Sequence, residues 1–175
     1  MREAIGGAWL FGIVITFIAL FTAFLAYSIS YTRAFNVKNQ IINMIEESEG
    51  YTKYQGTDLA SNQNLDSDTS VEGRAFNLIR NMGYNYEVAS AVGDAGCQNL
   101  KGGNNLGSKM MSPAGYCLTK ICENGNKNAN THYKITTFIA LQVPVIGIMV
   151  KIPISGETRT LYYDNGDYDC SDGGD

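Results

Sequence analysis

The sequence predicts an α+β protein in which one long N-terminal helix carries a small antiparallel sheet. Three observations predict it. Residues 4–32 form an apolar run with no charged residue inside it. Residues 33–49 keep apolar residues at helical spacing but on one side only. The last third of the chain is rich in β-branched and aromatic residues broken by turn signals. These divide the 175 residues into a stalk helix over 1–50, an α+β globular domain over 51–163 and an acidic tail over 164–175.

The apolar run comes first. A stretch longer than about 18 apolar residues reads as a membrane-spanning helix, since about 20 residues cross the hydrocarbon core. Only a helix or a closed barrel satisfies backbone amides there. A secretory leader has a basic start, a shorter core and a small-residue cleavage site. This run is too long, Glu3 offsets Arg2, and no Ala-x-Ala site precedes Arg33, so a retained helix is expected. Trp9, Tyr27 and Tyr31 suit the two membrane interfaces. Small residues recur four apart, at Ala8 and Gly12, at Ala19 and Ala23, and at Ala26, Ser30 and Ala34. That spacing lets helices approach closely in lipid, and chance recurrence of common residues explains it equally well.

The helix is expected to continue. Ala34, Phe35, Ile41, Ile42 and Ile45 make one apolar stripe, with Lys38, Asn39, Asn43, Glu46 and Glu47 largely opposite. Gly50 offers a left-handed C-terminal cap. Residues 51–69 are polar and read as a loop, in which Asp66, Ser67, Asp68 or Ser70 can cap a second helix over 71–82. Val71, Ala75, Leu78, Ile79 and Met82 form its buried face, and Gly83 ends it. Residues 84–92 read as a short strand, and the Gly- and Asn-rich residues 94–115 as a long surface loop.

The sheet is expected in the C-terminal third. Residues 116–122 are a strand, 123–130 a turn led by Asn124-Gly125, and 133–143 a second strand ended by Pro144. Residues 146–154 and 158–163 are one bent strand or two short ones, with Pro153 and Gly156 near the break.

Chemistry-bearing constellations are sparse. The net charge is −4, which leaves no basic footprint for nucleic acid. The single histidine, His132, has no partner histidine, and the four cysteines lack zinc spacing. No phosphate loop and no nucleophile elbow appear. A non-enzymatic protein without a cofactor is expected. The cysteines read as staples in an oxidising space. Cys117 and Cys122 lie five apart on one strand and face opposite ways, so the favoured pairing of three is Cys97–Cys117 with Cys122–Cys170. In the tail, Asp164, Asp167, Asp169 and Asp172 resemble part of a calcium loop but lack its full order and distal glutamate. A solvated acidic tail is the preferred reading of them.

Two segments carry a resemblance. GGAWLFGIVITFIALFTAFLAYSISY, continuing through TRAFNVKNQIINMIE, resembles the start of type IV pilin-like subunits, most closely the TadE-like minor pilins of tight-adherence systems. FIALQVPVIGIMVKIPISGETRTLYY resembles the sheet hairpin of the same proteins. Many pilins carry a glutamate inside the apolar run; here Glu3 precedes it. The resemblance implies a pilin-like fold and a helix stored in the membrane and then withdrawn into a filament, while the cysteines and the larger size of the C-terminal part favour that domain outside the cell. Its expected partners are lipid, copies of itself and related subunits. The assembly residues would be Ala8, Gly12, Ala19, Ala23, Ala26, Ser30 and Ala34. The competing expectation is a single-pass anchored binding or assembly domain that never polymerises.

Overall fold

A computed structural model describes residues 2–55, 69–84, 97, 106–111, 115–122, 130–142 and 149–166. The element order is α1 (Arg2–Glu47), α2 (Val71–Asn81), β1 (Leu106–Met111), β2 (Tyr116–Cys122), β3 (Thr131–Gln142) and β4 (Met149–Glu157). The four strands form one antiparallel meander in the order β1-β2-β3-β4. The molecule is therefore α+β, with one long apolar helix and a small antiparallel sheet.

Helix α1 is a single element of 46 residues, about 69 Å long at 1.5 Å per residue. Its two halves live in different surroundings. Residues 7–26 are exposed at every position. From Ala34 onward the helix is docked: Ala34, Val37, Ile41 and Ile45 are fully buried, and Lys38 is nearly so. These positions recur at the three- and four-residue spacing of one helix face. The expected stripe is corrected at two places. Phe35 stands on the exposed side, and Val37 takes the place it was expected to fill. Lys38, expected on the polar side, lies against the sheet. A Cβ on Gly156 of β4 would come within 3.0 Å of the Lys38 stem, and the ammonium sits 4.4 Å from the Phe35 ring centroid. A lysine buries its methylenes readily when its head can reach the rim.

The helix ends with the amide of Ser48 on Met44 O (3.0 Å) and the amide of Gly50 on Ile45 O (3.1 Å). The left-handed cap expected at Gly50 falls on Glu49, with φ 51°. Gly50 is needed for a different reason. Its φ is 150°, and an added Cβ would stand 2.6 Å from Asp164 Oδ1.

Helix α2 starts at Ser70, whose hydroxyl accepts the Gly73 amide at 3.1 Å. It ends in a Schellman arrangement: Tyr84 N donates to Ile79 O, and Gly83 takes φ 63°. The buried face is Val71, Gly73, Ala75, Phe76 and Ile79; Phe76 was not expected there, and Leu78 and Met82 are only partly buried. Residues 51–55 are strapped to its first turn. The Glu72 amide donates to Thr52 O (3.1 Å), Val71 N to Thr52 Oγ1 (2.9 Å) and Tyr54 N to Glu72 Oε2 (2.8 Å).

In the sheet, register and period two fix the faces. Thr119 pairs with Lys134, Ile135 with Leu118 and with Gly156, and Thr137 with Ile154. The face toward α1 carries Tyr116, Leu118 and Lys120 of β2, Tyr133, Ile135, Thr137 and Ile139 of β3, and Ile152, Ile154 and Gly156 of β4. Thr137 seals the contact by donating to the Ala34 carbonyl at 3.1 Å.

Three expectations are corrected here. The loop over 94–115 contains strand β1, an edge partner of β2 that its Gly and Lys disguise. Among the described residues after Pro144 there is one strand, β4, which includes Pro153 and Gly156. As an edge strand it tolerates a proline that cannot donate. Residues 158–163 form no strand; Leu161 makes one isolated bridge, to Thr131. Of the strand expected over 84–92 only Tyr84 is described, and it follows the α2 cap outside any strand; the rest of it, the Asn124-Gly125 turn and Pro144 lie outside the described residues.

Candidate functional site

The surface with most to explain is the bare half of α1. Residues 7–26 number 20, about 30 Å of helix, which equals the thickness of a bilayer's hydrocarbon core. Trp9, Leu10, Phe11, Phe17, Leu20 and Phe24 are each more than 60% exposed, a contiguous apolar surface of the kind that marks a membrane or protein contact. Among the described residues this is the one helix long and apolar enough to cross a membrane. Its hydroxyls are satisfied within the helix. Thr16 donates to Gly12 O (2.9 Å), Thr22 to Ile18 O (3.0 Å) and Ala19 O (2.9 Å), and Thr32 to Ser28 O (2.9 Å). The threonine hydroxyls of this half are therefore bonded to the helix's own carbonyls.

The helix is apolar all round, yet it is not symmetric in size. At about 100° per residue, Ala8, Gly12, Ala19, Ala23, Ala26 and Ser30 fall within an arc of about 60°. Between residues 7 and 33 no other position falls in that arc. Phe11, Phe17, Phe21, Phe24 and Leu25 all lie outside it. Ala8, Gly12, Ala19, Ala23 and Ala26 are exposed, and Ser30 is half-buried. A Cβ added at Gly12 would meet nothing within 4 Å. Ala34 is corrected: it is fully buried against the sheet and unavailable to a neighbouring helix. The same arc runs on into the docked stripe, so the small-residue face looks to the side on which the domain sits.

The boundary between the halves is marked by polar and aromatic groups. Tyr27, Tyr31 and Phe35 form a ladder, with ring centroids 6.2 and 6.1 Å apart. Tyr27 is half-buried and packs against the domain core. Arg33 donates to the Gly83 carbonyl at the end of α2, 3.2 Å away, where the helix dipole favours a cation.

The remaining expected site residues are structural where they are described. Cys97 and Cys117 form a disulfide with Cα atoms 5.7 Å apart, attached to the sheet face turned away from α1. Cys122 is buried and is also disulfide-bonded; Cys170, its expected partner, lies outside the described residues. Asp164 is not part of a loose tail. Its carboxylate pairs with Lys120, accepts the Tyr133 hydroxyl at 2.9 Å, and accepts the Gly166 amide at 2.9 Å. The Asn165 amide donates to Glu49 O at 2.9 Å. An aspartate so occupied by an ammonium has little left for a calcium ion. Asp167, Asp169 and Asp172 lie outside the described residues. Beside this cluster Tyr51 and Tyr116 share a hydroxyl–hydroxyl bond of 2.5 Å. His132 is half-buried on β3. Among the described residues no three His, Cys, Asp or Glu side chains gather as a metal site.

Sequence reasoning missed the Lys120–Asp164–Tyr133 cluster. The three lie on β2, after β4 and on β3, and only the sheet register brings them together. It also missed Tyr84, buried at the end of β2. Its hydroxyl accepts the Phe138 amide (2.9 Å) and donates to Gly115 O (3.2 Å), bridging the gap where β3 outruns β2.

Comparison of the chain with models of protein families, with characterised proteins and with solved structures finds no match.

Proposed function

We propose that the chain is a structural subunit of a pilus-like filament, held in a membrane by the bare half of α1 and packed there with related helices. The observation that carries this is the segregation of size on a uniformly apolar helix. Lipid makes no distinction between a small and a large apolar face. A neighbouring helix does, because Gly, Ala and Ser let backbones approach closely while large residues beside them interlock. The disulfide favours an oxidising compartment for the domain, so the reading places it outside the cell, with a single span anchoring it. It acts by assembly rather than catalysis, without a cofactor.

The test is cellular fractionation with the double variant Ala19→Leu/Ala23→Leu. Wild-type chain is expected in sheared extracellular filaments as well as in membranes. The variant is expected to insert normally and to lose filament yield by about tenfold or more. Wild-type chain found only in membranes, with no filaments by electron microscopy, would leave the anchored, non-polymerising domain as the surviving reading.

A further inference from the structure

At the far end of the domain, roughly 20 Å along α1 from Arg33, lies a cleft of about 420 Å³ lined by Glu49, Arg159, Thr160, Leu161, Tyr162 and Tyr163. Its volume is that of a small-ligand site. Tyr162 and Tyr163 are 73% and 82% exposed. Outside α1 they are the only large hydrophobic side chains that exposed among the described residues.

The segment that presents them is held firmly. Thr158 N donates to Tyr133 O at 2.9 Å. Arg159 N donates to Glu46 Oε1 at 2.7 Å and its guanidinium to Glu46 O at 3.3 Å. Leu161 exchanges both backbone bonds with Thr131, at 3.0 and 2.7 Å. Asn165 is tied to Glu49. The two rings therefore project from a fixed backbone, and a ligand would spend little on ordering it. Thr131, the bridge partner of Leu161, is fully buried with a hydroxyl that has no hydrogen-bond partner.

The lining selects the ligand class. Two phenol rings offer electron-rich faces to positively polarised C–H bonds, and hydroxyl tips beside them. Thr160 adds a hydroxyl, Arg159 donors and Glu49 acceptors. Arg159 lies against Glu46 as well as beside Glu49, so the cleft has no surplus of positive charge to draw an anion, and a hydroxyl-rich uncharged ligand suits its donors and acceptors. A protein partner fits less well. A stable interface buries about 800 Å² on each side around an apolar core, and two tyrosines do not supply one. We infer that this cleft binds a neutral saccharide, with Tyr162 and Tyr163 stacking on sugar rings and Thr160, Arg159 and Glu49 bonding hydroxyls. The inference does not depend on whether α1 assembles into a filament.

The test uses the full chain in a phosphocholine detergent, because sugar-headed detergents would compete. The probe is a printed array of neutral gluco-, manno-, galacto- and N-acetylglucosamine oligosaccharides. Retention on at least one series is expected. Tyr162→Ala and Tyr163→Ala should each weaken it by about tenfold or more, while the unfolding midpoint stays unchanged because both rings are exposed. Two results would overturn the inference: no neutral oligosaccharide retained, or retention unchanged in the double tyrosine variant. Loss of self-association in the tyrosine variants, without any sugar binding, would assign the surface to a second copy of the chain instead.

Discussion

Tyr84 shows how much one side chain can hold. It follows the Gly83 turn and ends inside the sheet, where its oxygen takes one amide proton and gives its own to a carbonyl. Burial pushes its pKa up to about 12 from 10, against the opposing pull of the Phe138 amide. The sign follows directly. The folded state holds the phenolic proton more tightly than the unfolded chain does. The stabilisation is thus complete below pH 10 and is lost as pH rises through about 12. A two-unit shift corresponds to about 2.7 kcal/mol. The wild-type melting temperature, followed by circular dichroism, should fall across that alkaline window, and Tyr84→Phe should flatten the fall. At neutral pH the same variant should cost about 1–3 kcal/mol, because the Phe138 amide would be buried without an acceptor. A variant with unchanged stability at neutral pH would remove Tyr84 from this role. Nothing in the sequence singles out Tyr84 from its ten fellow tyrosines. Its importance comes from β3 extending beyond β2, a tertiary fact.

At the scale of elements, what was legible followed from periodicity and what was hidden followed from pairing. The long helix, the docked positions Ala34, Ile41 and Ile45, and the bounds of β2 all rest on local repeats of 3.6 or 2. Lys38 and Phe35 exchanged their expected places because a lysine stem is apolar, whereas hydropathy counts only its charge. Strand β1 was hidden because an edge strand is defined by its neighbour more than by its own six residues. The packing of Asp164 was hidden for the same reason: as sequence it heads an acidic, Gly-rich stretch. In the fold it locks the end of β4's extension to β2, β3 and the end of α1. A buried ion pair resists the loss of one member more than the loss of both. Asp164→Ala alone should cost on the order of 3–5 kcal/mol. A double-mutant cycle with Lys120→Met should give a coupling energy above about 1.5 kcal/mol, read from denaturant midpoints. Additive single effects would mean that the pair contributes little beyond its separate contacts.

At the scale of the molecule, the decisive feature is that one unbroken helix serves two surroundings. The domain grips α1 from Tyr27 onward, and the 20 residues before it are left bare. The helix is continuous, so the small-residue arc is fixed in direction relative to the sheet. A neighbouring helix that uses the arc must approach from the side on which the domain sits, and its contact ends near Ser30, where the domain begins. Under the proposed assembly this limits the helix–helix seam to residues 8–30, about 33 Å. The prediction can be read in native membranes without isolating filaments. A cysteine in place of Ala19 lies within the arc, whereas one in place of Phe21 lies nearly opposite. Under mild oxidation Ala19→Cys should give a disulfide-linked dimer, and Phe21→Cys should remain monomeric. The same pair of variants made in Ala23→Leu background should lose the Ala19→Cys dimer, since a leucine fills the groove that admits the second helix. Equal cross-linking at both positions would mean that the helices meet by random collision in the bilayer. The size asymmetry of α1 would then have no part in assembly.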